Sequence, residues 1–514
     1  MLAKTGLLIV SNPKHISKLL TDAQKAVKNT LYIQLLSALS EPLGSFHSNI
    51  FNTPPKFSRT IYCIYSQVSK QCNNLDVRVL LSGIRSNVPQ INTKKPIDIV
   101  IFDKKYTQAE IENFIKTKIS NVSYKHDTLT LECNGIDSLD FDGGDKESNV
   151  YDHVVLGGTF DRLHVAHKLL LSDAILRSGE KVTVGVTEEN MIHSKMLWEL
   201  VENVDTRINN VLNFMSDICP ELKYDVCKIA DPFGPAIVDP TMDMIIVSEE
   251  TIRGGEKIND IRREKKIKEL KIVPISFIDE PNPQEKEEKK VSSSNARLRL
   301  LGTVLNPIKD KKLPKRPYVI GLTGGIASGK SGVAGHLENL DVPVINCDKI
   351  GHRLYEKGQL CYKKVIETFG DSVVDVNGEI NRRVLGSIVF QNKDEMQKLN
   401  KIMWPAIADE VNKVIQHCEK PVICVEAAIL SLAGWDVFCH EIWTTIVPPQ
   451  EAIRRLQTRN KLTEEQAKNR IDSQPSNREY VKQANVVFSP QWEVDYTKSQ
   501  VHKAWKLLQE RLDS

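Results

Sequence analysis

The chain has 514 residues, enough for about three domains at the usual one to two hundred residues each. Its 69 Lys and Arg balance 66 Asp and Glu, so no net field is available to hold DNA or RNA, and 41% hydrophobic residues is ordinary for a globular protein. Ten cysteines show neither a C-x-x-C pair nor zinc spacing, as in a reducing compartment, and no apolar run reaches the roughly twenty residues of a membrane span.

The first twenty residues are basic and free of acid, but their apolar run, Gly6–Val10, is too short for a signal peptide. It predicts a first strand of the fold in a cytoplasmic protein; a peripheral mitochondrial association is the competing reading. Ile61–Ile64, Val77–Leu81 and Ile97–Phe102 read as strands, and Thr21–Leu39 as a helix capped by Thr21 or Asp22. Residues 1–133 are therefore expected to form an α/β region, without a phosphate loop, paired carboxylates or metal spacing. The Gly/Asp/Ser-rich stretch 134–149 reads as a linker.

A second unit is expected over 150–302. His153–Leu156 is a short β run that leads into Gly157-Gly158-Thr159-Phe160-Asp161-Arg162-Leu163-His164-Val165-Ala166-His167. Leu163, Ala166, Leu170 and Ala174 share one helical face as far as Arg177, with Gly179 as the stop. Lys181–Val186 and Met242–Ser248 follow as strands, the second ending at Glu250-Thr251-Ile252-Arg253-Gly254-Gly255. Strand, helix and strand at this spacing predict a parallel sheet with its site at the carboxyl ends of the strands. His164 and His167, three apart, face whatever the glycines cradle; half a metal site and plain core histidines are the alternatives. Glu285–Lys290 is a solvated charge run suited to a closing loop. It leads into Ser292-Ser293-Ser294-Asn295-Ala296-Arg297, which opens an apolar helix at Leu298–Leu301. Residues 303–317, with three prolines among basic residues, read as an exposed linker.

The third unit, 318–514, opens on the strongest motif. An apolar run, Tyr318–Leu322, feeds Thr323 and then Gly324-Gly325-Ile326-Ala327-Ser328-Gly329-Lys330-Ser331, which fits G-x-x-x-x-G-K-[ST]. Glycines allow successive N–H groups to aim at a phosphate chain, and a helix beginning near Lys330 directs its positive end at the same anion. Lys330 would reach the terminal phosphates of ATP and the Ser331 hydroxyl would ligate Mg²⁺. Val344–Asn346, Val422–Val425 and Ile442–Val447 read as strands, and Val494–Leu512 as a terminal helix. The first of these strands leads to Asp348 and the second to Glu426, acids at the edge of the sheet. Arg454, Arg455 and Arg459 precede a capping box, Thr463 to Gln466, whose helix carries Arg470, Asp472 and Gln474. Two arginine-rich helices joined by a turn suit a lid that clamps a phosphoryl group.

Two family resemblances follow from these residues. Gly158-Thr159-Phe160-Asp161 with His164 and His167 resembles the nucleotidyltransferase signature, with Ala166 where most members have Gly. The Ser292-Ser293-Ser294 turn ending in Arg297 resembles that of pantetheine-phosphate adenylyltransferases. Lys195 and the segment around Arg253 match basic positions of the eukaryotic form. This resemblance implies a Rossmann-like sheet and attack of the 4′-phosphopantetheine phosphate on the α-phosphorus of ATP, giving dephospho-coenzyme A and pyrophosphate. His167, Lys195, Arg253, Arg297 and the Thr159 hydroxyl would neutralise the charge of the transition state. The third unit resembles dephospho-coenzyme A kinases, departing at Trp404, where bacterial members carry His, and at Glu426, where they carry Asp. It implies γ-phosphoryl transfer from ATP to the ribose 3′-hydroxyl, with Asp348 as base and Lys330 and Arg470 on the phosphates. Together the units resemble the bifunctional coenzyme A synthases of animals. A kinase with a degenerate transferase, and an RNA-binding NTPase derived from a synthetase, are the alternatives.

Overall fold

Three five-stranded sheets, with every pairing of neighbouring strands parallel, carry the fold in this computed structural model. The structure describes residues 2–39, 43–44, 57–72, 74–85, 90–131 and 149–513, which divide between two units, Met1–Leu298 and Arg299–Ser514. Among the described residues no helix is long and apolar enough to cross a membrane.

The first unit holds two sheets. In chain order the first consists of β1 (Ala3–Val10), α1 (Ile16–Ala23), β2 (Val27–Leu35), α2 (Phe57–Gln71), β3 (Asp76–Val79), α3 (Ser82–Arg85), β4 (Ile97–Phe102), α4 (Gln108–Lys118) and β5 (Val122–Thr130), ordered β3-β2-β1-β4-β5 across the sheet. β1 is the expected first strand. Both of its faces are covered, so Leu7–Val10 read as an unbroken apolar run rather than an alternation. Where the order reverses, at the carboxyl ends of β1 and β4, Asp103 Oδ2 accepts from Ser11 N, Ser11 Oγ and Asn12 N at 2.6, 2.8 and 3.2 Å.

Two expectations for this region fail. Thr21–Leu39 is not one helix: the chain turns after Ala23 and enters β2, whose buried Leu31–Leu35 fit a central strand as well as a helix core. Ile61–Ile64 is not a strand but the middle of α2, with Phe57, Ile61, Ile64, Tyr65 and Val68 on its buried side.

The second sheet comprises β6 (Tyr151–Gly158), α5 (Val165–Arg177), β7 (Ser178–Thr187), α6 (Val204–Ile218), β8 (Lys223–Ile229), β9 (Met244–Ser248), α7 (Ile252–Glu264), β10 (Lys271–Ile275) and α8 (Ser293–Leu300). Its order, β10-β9-β6-β7-β8, is that of the first sheet, a repeat of architecture that the sequence does not display. Gly179 is not a helix stop: α5 passes directly into β7, where a Cβ at Gly179 would come within 2.9 Å of the Asp152 carboxylate. The two sheets share one continuous core, in which Ile61, Tyr65 and Val77 join Leu171, Ile175 and Phe214. Of the expected linker 134–149, all but Asn149 lies outside the described residues.

The second unit comprises β11 (Tyr318–Gly324), α9 (Lys330–Glu338), β12 (Val344–Asn346), α10 (Cys347–Leu354), α11 (Tyr362–Phe369), α12 (Arg382–Gln391), α13 (Lys393–Gln416), β13 (Val422–Glu426), β14 (Glu441–Thr445), α14 (Pro449–Asn460), α15 (Glu464–Asp472), α16 (Asn477–Gln483), β15 (Val486–Phe488) and α17 (Val494–Leu512). The sheet order is β12-β13-β11-β14-β15. With β11 central, the strand covered on both faces delivers its last residues to the middle of the carboxyl edge, where ligands bind in open α/β sheets. Residues 303–317 lie along this unit rather than free: Leu305 N donates to Asn485 O at 2.7 Å and Lys311 Nζ to Asp436 O at 2.7 Å.

Candidate active sites

The loop after β6 is closed by distant residues. Phe160 and Arg162 hold φ of 50° and 46°, a left-handed backbone that side chains disfavour. Asp161, fully buried, fixes it: Oδ1 accepts from Glu202 N and Arg162 Nη1, each at 3.0 Å, and Oδ2 from Arg297 Nη1 at 2.7 Å. Arg207 adds three backbone clamps, from Nη1 to Thr159 O at 2.7 Å, Nη2 to Thr187 O at 2.8 Å and Nε to Glu202 O at 2.8 Å. Ser293 Oγ donates to Asp161 O at 3.0 Å and lies 3.3 Å from His164 Nε2. The two motifs therefore form one body although they are far apart in the chain.

The His164 and His167 rings stack at 3.8 Å and 20°, with Phe160 against His167 at 5.2 Å. Nδ1 of each histidine is buried without a hydrogen-bond partner. Burial pushes His164 well below its ordinary value, and the neighbouring His167 adds to this. Burial, assisted by the Lys195 ammonium, lowers His167 to about 3. Both rings are neutral at pH 7, each with an unmet nitrogen.

Other expected residues divide. Thr159 Oγ1 accepts from Thr187 Oγ1 at 3.3 Å, and Ser292 Oγ accepts from Asn295 N at 3.2 Å at the start of α8. Ser294 Oγ accepts from Arg297 Nη2 at 3.4 Å. Arg297, expected on the triphosphate, is turned inward: only 2% exposed, it also gives Nε to Met196 O at 2.8 Å. Lys195 is exposed at the rim, held below its ordinary value by desolvation and then by Arg297. Arg253 is exposed in the first turn of α7. The run Glu285–Lys290 is not simply solvated: Asn295 Nδ2 donates to Glu288 O and Lys290 O at 2.9 and 3.1 Å, which ties the run to α8.

The second site lies where β11 meets α9. Gly324, Ala327 and Gly329 hold φ of 141°, 58° and 94°. A Cβ at Gly329 would come within 2.9 Å of two Pro490 carbons, so glycine is required here by backbone and space together. Lys330 Nζ curls back to Gly324 O and Gly325 O, both at 2.8 Å. Desolvation lowers Lys330 to about 8, against the pull of Asp348 and Glu426. Ile326 N donates to Gln474 Oε1 at 2.7 Å, and Ser328 Oγ pairs with Thr445 Oγ1 at 2.6 Å. Ser331 Oγ donates to Glu426 Oε1 at 3.1 Å, and Asn346 Nδ2 to Oε2 at 2.8 Å.

These groups open on a cavity of about 660 Å³, which Asp348, Arg454, Arg455 and Arg459 also line. Asp348 is not at the end of a strand; it stands in the first turn of α10. Arg455 Nη1 donates to Ala327 O at 3.1 Å, so α14 grips the phosphate loop. Arg470 is exposed on α15 and is not among the lining residues.

The family described as dephospho-CoA kinase matches residues 318–494. A dephospho-CoA kinase of Bacillus cereus is 37% identical over 196 residues, which cover 37% of this chain and 98% of that protein. The chain belongs to the dephospho-CoA kinase family. The dephospho-CoA kinase of Dehalococcoides mccartyi is similarly 33% identical over 198 residues, 38% of this chain and 98% of its own. A dephospho-CoA kinase of known structure from Campylobacter jejuni is 25% identical and covers 38% of this chain and 97% of its own, with a TM-score of 0.30. Residues 155–299 match the family described as cytidylyltransferase-like.

Beside these two candidate sites stand residues whose part the sequence did not display. Arg207 and Thr187 hold the first loop; Thr445 holds the second. Each acts through a backbone carbonyl or a hydroxyl on another element, and no motif marks such a partner.

Proposed function

We propose that the chain carries out two consecutive transfers: adenylyl transfer from ATP to 4′-phosphopantetheine, giving dephospho-coenzyme A and pyrophosphate, then phosphorylation of its ribose 3′-hydroxyl by a second ATP. The observation that carries the first step is the join of His164, Ser293, Asp161 and Arg297, which makes the glycine loop and the serine-rich helix start a single anion cradle. The substrate phosphate attacks the α-phosphorus as the bond to the β-phosphate oxygen breaks, so no protein nucleophile is required. The protein's part is to neutralise charge on the five-coordinate phosphorus. The neutral His167 donates its N–H to a phosphate oxygen, His164 stacks on it with Nε2 on Ser293 Oγ, Lys195 supplies positive charge at the rim, and Arg297 holds Asp161 and the loop in place.

In the second step Lys330 exchanges its two loop carbonyls for ATP phosphate oxygens, and the N–H groups of the loop surround them. Asp348 accepts the proton of the 3′-hydroxyl as its oxygen bonds to the γ-phosphorus and ADP leaves. Arg454, Arg455 and Arg459 balance the phosphoryl charge. Ser331 and the Glu426 carboxylate are hard oxygen donors of the kind Mg²⁺ takes alongside phosphates. A bound ion would there offset phosphate charge. Among the described residues no group of three or more His, Cys, Asp or Glu side chains could hold a metal ion.

The test supplies ATP, Mg²⁺ and 4′-phosphopantetheine and follows products by mass spectrometry. Dephospho-coenzyme A should form and convert to coenzyme A. Lys330→Met should stop at dephospho-coenzyme A, whereas His167→Ala should severely slow its formation yet still phosphorylate it when it is supplied. No adenylyl product from the wild-type chain would refute the first half.

A further inference from the structure

Lys168 follows His167 in α5, so the two share a backbone segment. Its side chain is 7% exposed, and Nζ donates to Asp76 Oδ1 at 2.6 Å and to Val77 O at 3.0 Å. Asp76 opens β3 in the other sheet of this unit. Its Oδ2 takes Arg78 at 2.8 Å and Lys95 at 3.3 Å. Arg78 continues to Asp217 of α6 at 2.6 Å, where the Tyr32 hydroxyl, also at 2.6 Å, and Lys94 N at 2.7 Å donate too. Burial alone would raise the Asp76 carboxyl, but Lys168 and Arg78 hold it well below the carboxylate range. Asp76 is ionised, and the ammonium it holds belongs to the residue that follows His167 in α5.

Adhesion between the sheets does not need this pair. The apolar packing of α2 on α5 already supplies it, and buried ion pairs contribute little net stability against apolar substitutes. What the pair adds is position. His167 has no hydrogen-bond partner at Nδ1, and its ring packs on Phe160 and His164. Its backbone is held from the next residue, whose side chain is tied to Asp76 and Val77.

We propose that the amino-terminal sheet is a working part of the adenylyl-transfer site: Asp76, acting through Lys168, is a positioning residue that sets the placement of His167. This rests on the nucleotidyl-transfer reading above. It gives the first sheet a role in the chemistry without a substrate of its own. A displacement of about 1 Å at such a group can cost roughly a hundredfold in rate.

The test uses the full chain and measures both steps. Asp76→Asn keeps shape and removes charge; kcat for dephospho-coenzyme A formation should fall about ten- to a hundredfold, with the KM for ATP and the phosphorylation of supplied dephospho-coenzyme A unchanged. In a His167→Gln background the same substitution should have no further effect, because residues acting through one another are not additive. Lys168→Arg, which keeps the charge but alters its reach, should give the same pattern and serves if Asp76→Asn does not fold. An undiminished kcat, a loss confined to KM, a loss in both steps, or losses that multiply with His167→Gln would overturn the inference. A wild-type chain that forms no dephospho-coenzyme A instead refutes the reading beneath it, before any variant is compared.

Discussion

Replacing Arg297 with Met tests the lock of the first site most directly. The substitution removes the guanidinium 2.7 Å from Asp161 and leaves that carboxylate, fully buried, without its strongest partner. Severing one side of a buried ion pair costs about 3–5 kcal/mol. Asp161 keeps two donors, Glu202 N and Arg162 Nη1, so about 3 kcal/mol is the appropriate figure. At roughly 2 °C per kcal/mol for a large unit, that is about 6 °C in melting temperature. Calorimetry of the intact chain should show one transition lowered by this amount, with the kinase step unaltered at 25 °C. Adding Asp161→Asn removes the stranded charge and should recover part of the loss. A single variant that melts like the wild type, or a double variant no better than the single, would show that the pair does not hold the loop.

Three further outcomes are expected. Lys330, at about 8 in the free protein, must be charged to hold phosphate; ATP affinity for the second unit should be flat below pH 7.5 and weaken by up to about tenfold per unit above 8, and an isothermal titration series insensitive to pH through 9.5 would contradict this. His167, lowered from 6.5 to about 3, makes protonation favour the unfolded chain between those values. Its contribution to stability is therefore complete above about pH 6.5 and lost as pH falls toward 3, by up to about 1.4 kcal/mol per unit. Urea midpoints at pH 7.5 and 5.0 should show this slope, and His167→Gln should reduce it to the share that His164 leaves; an equal slope in the variant would assign it elsewhere. Gly329→Ala places a methyl against Pro490 at positive φ, a strain of about 1–3 kcal/mol. The kinase kcat/KM should drop at least about tenfold while dephospho-coenzyme A formation continues; a kinase rate near wild type would mean that the loop adapts.

What can be read from the chain is whatever is local. The phosphate loop is eight consecutive residues in which glycine takes two of the three left-handed positions, Gly324 and Gly329, and Ala327 the third, and Ile97–Phe102, Val344–Asn346 and Val494–Leu512 carry their periodicity within themselves. Val27–Leu35 reads as helix because a strand buried on both faces loses its alternation. Ile61 and Ile64 look β-like only until Phe57, Tyr65 and Val68 are set beside them at helical spacing. The inward turn of Arg297 is illegible for a different reason. Its partner lies 136 residues away, and nothing in either segment distinguishes a guanidinium that meets phosphate from one that meets Asp161. Arg207 leaves no trace at all, being one cation among 69.

The carboxylate of Asp103 bears on what the first sheet can bind. Its strand order matches that of the transferase-like sheet, and Ser11 and Asn12 occupy the crevice where such folds greet a phosphate. Their amide hydrogens already have an occupant, a negative group supplied by the chain itself. An incoming nucleotide would have to evict a covalently attached rival and meet its charge. At that crevice the chain's own carboxylate stands where a phosphate would go.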